Sequence, residues 1–174
     1  DRGDFDLQNA PGDTGTCSVI ANQFAAENYD LILANATPAL QACAIATNSI
    51  PVLATSITNF AAALDIELDE NGCTGINVSG TNDLAPLDEQ AKLLMDLCPE
   101  AKNIGILYCS AEINSVYQAE HIKPYFEEAG ISYKDYSFAD SNDLQAVVSM
   151  AAQSCDAIYI PTDNTAASNA ELID

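Results

Sequence analysis

Short apolar runs alternate along this chain with stretches whose apolar residues recur every three or four positions. The alternation predicts strand, helix, strand, repeatedly. FDLQNA (5–10) reads as a short strand, and Asp13 or Thr14 then caps a helix carrying Cys17, Ile20, Ala21 and Phe24 on one face. DLILANA (30–36) is almost continuously apolar, which predicts a parallel strand buried on both faces. Thr37-Pro38 opens the next helix, with proline at a tolerated first position. IPVLATS (50–56) predicts a third strand, AAALDIELDENGC is irregular and acidic, and TGINVSG (74–80) predicts a fourth strand.

From Pro86 the rhythm restarts. Leu87, Leu94, Met95 and Cys98 mark a helix that stops at Pro99, and NIGILYC (103–109) is a strand. SAEINS leads into a helix ended by Gly130, with Pro124 inside it to kink it or delay its start. ISYKDYSF (131–138) alternates as an edge strand does, LQAVVSMAA (144–152) is a helix, and DAIYIP (156–161) is the last strand. FAAENYDLILANATPALQA and MAAQSCDAIYIPTDNTAAS share an outline: helix end, Asp, apolar run, then a Thr-rich turn into another helix. Two similar α/β units therefore follow one another, 1–80 and 81–174, with a crossover near 79–86.

The predicted strands end in dense clusters of small polar residues: NATP (35–38), TSITN (55–59), SGTND (79–83), CSAEINS (109–115) and PTDNT (161–165). Each turn alone is an ordinary cap. Together they predict a ligand crevice, because ligands of open parallel sheets sit beyond the carboxyl ends of the strands. Arg2, Lys92, Lys102, Lys123 and Lys134 all fall outside these turns. A carboxylate there would depend on helix starts, whose unpaired N–H groups carry partial positive charge.

Composition narrows the classes. With 174 residues and a hydrophobic fraction of 48%, the chain can build a real core. Twenty-six acidic residues against five basic ones give a net charge of −21, which repels phosphate backbones and argues against nucleic acid. The six cysteines include no CxxC pair, and His121 is the one histidine, so a zinc site has little support. Cys17, Cys43 and Cys98 fit apolar helix faces as free, packed thiols, and Cys109, at a strand end, is the thiol expected to be accessible. GxGxxG, the P-loop and GxSxG are all absent, so no cofactor is expected and the enzyme reading is set aside.

DLILANATPALQA, IPVLATSIT, NVSGTNDLAPLDEQ, GILYCSAEINSVYQ and DAIYIPTDNTAAS resemble, in the same order, the ABC-transporter solute-binding proteins of the tryptophan/tyrosine-type family. The resemblance implies the type I periplasmic-binding-protein fold: two Rossmann-like parallel-sheet lobes, each incomplete in this chain. Family members begin with a further strand and helix before FDLQNA and continue beyond Asp174, so the resemblance implies a central segment. It also implies an extracytoplasmic protein, periplasmic or lipid-anchored, that delivers a small ligand to an ABC permease.

Carried over by motif, Thr37, Ser56 and Thr58 face the cleft from lobe one, and Asp83 follows the crossover. Ser110, Glu112, Asn114, Ser115, Thr162, Asp163 and Asn164 face it from lobe two. Asn114–Ser115 and their helix start are expected to bind a carboxylate. Asp163 is expected to meet an ammonium group, with Glu112 as the alternative. The implied ligand is an amino acid, preferably aromatic. A sugar- or nucleoside-binding protein or a sensor domain of the same fold is the runner-up.

Overall fold

A computed structural model describes residues 3–173. Among the described residues seven α-helices and six strands alternate in two units, followed by a 3-10 turn (Ala170–Leu172). In the first, β1 (Ile32–Asn35), β2 (Val52–Ile57) and β3 (Val78–Asn82) form a parallel sheet in that order. α1 (Thr14–Glu27), α2 (Thr37–Ala46) and α3 (Phe60–Leu64) belong to this unit. In the second, β4 (Asn103–Cys109) lies between β5 (Ser132–Phe138) and β6 (Ala157–Tyr159), again all parallel. Its helices are α4 (Leu87–Leu97), α5 (Ile113–Glu128), α6 (Ser141–Ser154) and the short α7 (Asn164–Ser168).

The second sheet is covered on both faces. Side chains alternate across a strand, so Ile104, Ile106 and Tyr108 of β4 pack with Ala91 of α4 and Ala119, Ile122 and Phe126 of α5. Leu107 and Cys109, on the other face, pack with Leu144, Val147, Val148 and Ala151 of α6. That is why NIGILYC is so continuously apolar. β5 holds an edge, as its alternating sequence predicted.

The first sheet departs from expectation. Ile32, Ala34, Val52 and Ala54 are buried with α1, α2 and α3. Leu33 is 68% exposed and Leu53 is also open, so DLILANA is buried on one face only. No described element covers the other face; an apolar run reports only that a strand can be buried twice. FDLQNA is likewise not a strand: it makes no ladder, and Phe5 and Leu7 are 96% and 93% exposed. A strand exists only through a neighbour's backbone, and β1 pairs with β2 alone among the described residues.

Local signals held where they were local. Asp13 caps α1 by accepting from Thr16 N at 2.6 Å, and Pro38 sits in the first turn of α2. α5 starts at Ile113 and runs through Pro124, so the proline does not delay the helix.

The cysteines are all free thiols, but their exposure corrects one expectation. Cys109 is buried, because β4 turns its side chain onto the α6 face with Sγ 3.5 Å from the Ala139 carbonyl. Cys73 is the exposed one. Burial pushes the Cys43 thiol up to about 11 and raises Cys109 too, so both hold little thiolate at neutral pH. In the native protein a thiol reagent is expected to label Cys73 first and Cys43 and Cys109 only on unfolding. All six thiols should titrate in unfolded, unreduced protein, and rapid native labelling of Cys109 would contradict its placement.

Candidate functional site

The carboxyl ends of the strands gather the polar turns. In the first unit, backbone conformation is unusual at two of them: Ala36 (φ 79) follows β1 and Ser56 (φ 58) lies near the end of β2. Such conformations cost energy in residues other than glycine and concentrate at functional sites. Ala36 is held by its N–H donating to the Thr55 carbonyl, and its own carbonyl accepts from Leu40. Thr37, the first residue of α2, is buried, as is Thr58, while Ser56 and Asp83 are exposed.

In the second unit the rim is a network built on two buried carboxylates. Glu112 occupies the N-cap position of α5, yet its carboxylate does not cap that helix. It crosses to α7 instead. Oε2 accepts from Asn164 N (3.0 Å) and Nδ2 (2.7 Å), and Oε1 accepts from Thr165 N (2.7 Å) and Oγ1 (2.6 Å). Asp163 is the N-cap of α7, with Oδ1 accepting from Ala166 N (2.8 Å). Its Oδ2 reaches the other way, to Cys109 N at the end of β4 (2.7 Å). The two acids thus cross-brace the loop after β4 and the loop after β6.

Burial acts on both carboxylates in the same sense, but the outcomes differ. For Glu112 burial pushes the carboxyl up, and the side-chain and backbone donors of Thr165 and Asn164 outweigh it, leaving it below the ordinary range. For Asp163 burial wins: fewer donors and the nearby Glu112 charge leave it raised.

Asn114 lies between these groups. Its Nδ2 donates to the Thr162 carbonyl (2.9 Å) and is 3.3 Å from both Glu112 Oε2 and Ser115 Oγ. One turn later on the same helix face, Gln118 donates to Thr58 Oγ1 (3.4 Å) and the Asn114 carbonyl (3.2 Å), and its Oε1 accepts from Thr162 N (3.3 Å). Gln118 therefore connects the second rim to the first.

Of the residues singled out from sequence, Glu112, Asn114, Ser115, Thr162, Asp163 and Asn164 are brought together, and Thr58 meets them through Gln118. Thr37, Ser56 and Asp83 stay on the first rim. Ser110 bonds outward, with both N and Oγ donating to the Phe138 carbonyl. Sequence reasoning missed Gln118 and Thr165. For Gln118 the signal was its i+4 spacing from Asn114. The Pro11–Thr14 turn was also missed, because Asp13 was read only as a cap. With Glu112, Asp140 and Thr165 this turn lines a cavity of about 210 Å³ between the two units. There Gly12 (φ 69) approaches α7 so closely that an added Cβ would come within 3.1 Å of Ser168 Oγ. A larger hollow, about 360 Å³, lies at the far end of the first unit beside Asn28 and Ala44–Ile50, and no titratable side chain lines it. Among the described residues, no cluster of His, Cys, Asp and Glu is arranged to hold a metal ion.

Comparison with known proteins follows the same outline. The family described as ABC transporter substrate binding protein matches residues 1–173. The chain is similar to a tyrosine-binding protein of Clostridioides difficile (strain R20291), 33% identical over 170 residues, which is 97% of this chain and 48% of the relative. It is similar to an ABC domain in complex with L-Trp from Streptococcus pneumoniae, at 35% identity and a TM-score of 0.87, covering 93% of this chain and 56% of that one. A third relative is a substrate binding protein with adhesive properties from Clostridium difficile, in its ligand-free, open structure. It gives 36% identity and a TM-score of 0.57, covering 97% and 56%. The chain thus spans about half the length of the relatives it matches, and its two parallel-sheet units are those of the type I periplasmic-binding-protein fold.

Proposed function

The chain belongs to the ABC transporter substrate-binding protein family, and we propose that it forms the central part of the extracytoplasmic solute-binding component of an ABC importer. It takes an amino acid, preferably aromatic, into the cleft between its lobes, 1–80 and 81–174, and presents it to a membrane permease. It is a carrier and does not transform its ligand. Thr37, Ser56, Thr58 and Asp83 form the lobe-one rim of that cleft. Asn114, Ser115 and Thr162 face it from lobe two, with Ser110 at the margin, and the Glu112–Asp163–Asn164 network holds this rim in shape.

The observation that carries this reading is the meeting of the two polar rims at Thr58 and Gln118, on the ligand-binding edge of both sheets. A difference between two relatives supports it. The L-Trp complex and the open, ligand-free relative are equally similar in sequence, but the structural agreement is 0.87 with the first and 0.57 with the second. Agreement with a ligand-bound relative over an open one is what a binding protein that closes about a hinge predicts.

Calorimetry tests the proposal on two forms, this chain and the protein extended to the length of its relatives. L-tryptophan, L-tyrosine, a hexose and a nucleoside are the probes. The extended protein is expected to bind an aromatic amino acid saturably, and the 174-residue chain at least about a hundredfold more weakly, a loss of about 2.7 kcal/mol. Binding of the hexose or nucleoside alone would sink the amino-acid reading. Equal affinity in both forms would show that the residues outside this chain contribute nothing to the pocket.

A further inference from the structure

We propose that Asn114 receives the ligand's ammonium group on its side-chain oxygen, Oδ1, at the first turn of α5. The inference deepens the amino-acid reading above and rests on it. It also reverses the role that the sequence motif suggested for Asn114, which was to donate to a carboxylate.

The orientation of the Asn114 amide is fixed by its neighbours. Nδ2 faces the Thr162 carbonyl at 2.9 Å and a Glu112 carboxylate oxygen at 3.3 Å, and both groups can only accept. The amide nitrogen must therefore point there, and Oδ1 points away from them. Asn114 is 4% exposed, and Oδ1 is fully buried with no donor. Buried acceptors without partners are rare in folded proteins, and a functional partner is one explanation of them. This acceptor lies one helical turn before Gln118, the residue that touches Thr58 of lobe one, so the proposal requires a ligand to reach it when the lobes part.

Charge selects the donor. Glu112 and Asp163 are 4% and 3% exposed, and every bond they accept comes from a neutral N–H or O–H group. Among the described residues the ion pairs are those of Lys123 with Glu120 and Asp135, on the outer surface of lobe two. Among the described residues no cation pairs with either acid, so the buried Glu112 carboxylate beside Asn114 has no counter-ion there, and a neutral donor would leave it uncompensated. A primary ammonium supplies both the hydrogen that Oδ1 lacks and the missing positive charge.

The test uses the full-length protein and three probes that share one side chain: L-tryptophan, tryptamine, which lacks the carboxylate, and indole-3-propionate, which lacks the amine. The corresponding tyrosine series runs beside it. In Asn114→Ala, affinity for the amino acid and for the amine is expected to fall at least about tenfold, and affinity for the des-amino acid to stay within about twofold. Asn114→Ser, with a shorter acceptor, should fall between, and it serves if the alanine variant does not melt cooperatively. A loss confined to probes that carry the carboxylate would assign Asn114 to that pole and overturn the proposal. An equal loss for all three probes would make its role structural only, and no loss would remove it from the site. If the wild-type protein binds no amino acid at all, the functional reading falls first and this assignment with it.

Discussion

Gly80→Ala is expected to lower the melting temperature by about 6–12 °C, through a loss of about 3 kcal/mol or more. Gly80 pairs with Ala54 across β2 and β3, and a Cβ built on it would lie 1.9 Å from the Ala54 carbonyl oxygen, 2.7 Å from its carbon and 2.9 Å from its nitrogen. These are backbone atoms of a neighbouring strand and cannot rotate away as a side chain can. Relief requires β3 to part from β2, where the register already shifts between Ala54 and Ile57. Glycine in a strand commonly marks such a close approach. The damage should be regional: amides of β1 to β3 should exchange faster while those of β4 to β6 keep their protection. Gly3→Ala, where nothing lies within 4 Å of the new Cβ, is the neutral control. A Gly80→Ala protein melting within about 1 °C of wild type would refute the packing described for lobe one.

Glu112→Gln is expected to cost about 3–5 kcal/mol, or a melting temperature about 10 °C lower. The glutamate accepts four hydrogen bonds from Asn164 and Thr165, two of them from N–H groups at the start of α7 that have no partner within the helix. Hydrogen bonds to a charged group contribute roughly 1.5–3 kcal/mol each, and in one network they do not add fully. An amide in the same place keeps one acceptor and turns its NH₂ toward donors. Hydrogen exchange at Asn164 and Thr165 should rise, which a general loss of stability would not single out.

The pH dependence has a definite sign. The folded Glu112 carboxyl lies below its ordinary 4.5, so its stabilisation is complete above that value and is lost as pH falls through the folded value. The gap between wild type and Glu112→Gln should therefore be widest near neutrality and close in acid. A constant gap at every pH, or none, would show that the carboxylate does not brace α7.

Much of the fold was written locally. NIGILYC predicted β4 to the residue because a strand covered on both faces must be apolar at successive positions. The Asp13 cap and the Pro38 start were legible because capping groups lie within one turn of the backbone they serve. The want of basic residues at every strand end was also plain, and with it the character of the rim.

What the sequence could not settle depended on neighbours far along the chain. Among the described residues FDLQNA has the composition of a strand but no ladder partner, and DLILANA has the apolarity for two covered faces but one cover. Cys109 sits at a strand end, yet β-alternation and α6 bury it. The acids show this most clearly. Asp163 and Glu112 read as groups waiting for a ligand, but their partners lie 54, 52 and 53 residues away, at Cys109, Asn164 and Thr165. Gln118 meets Thr58 across 60 residues. Residue type and spacing fix what a side chain is able to bond; only the folded chain decides which donors reach it first, and so which polar atom, here Asn114 Oδ1, is left for something else.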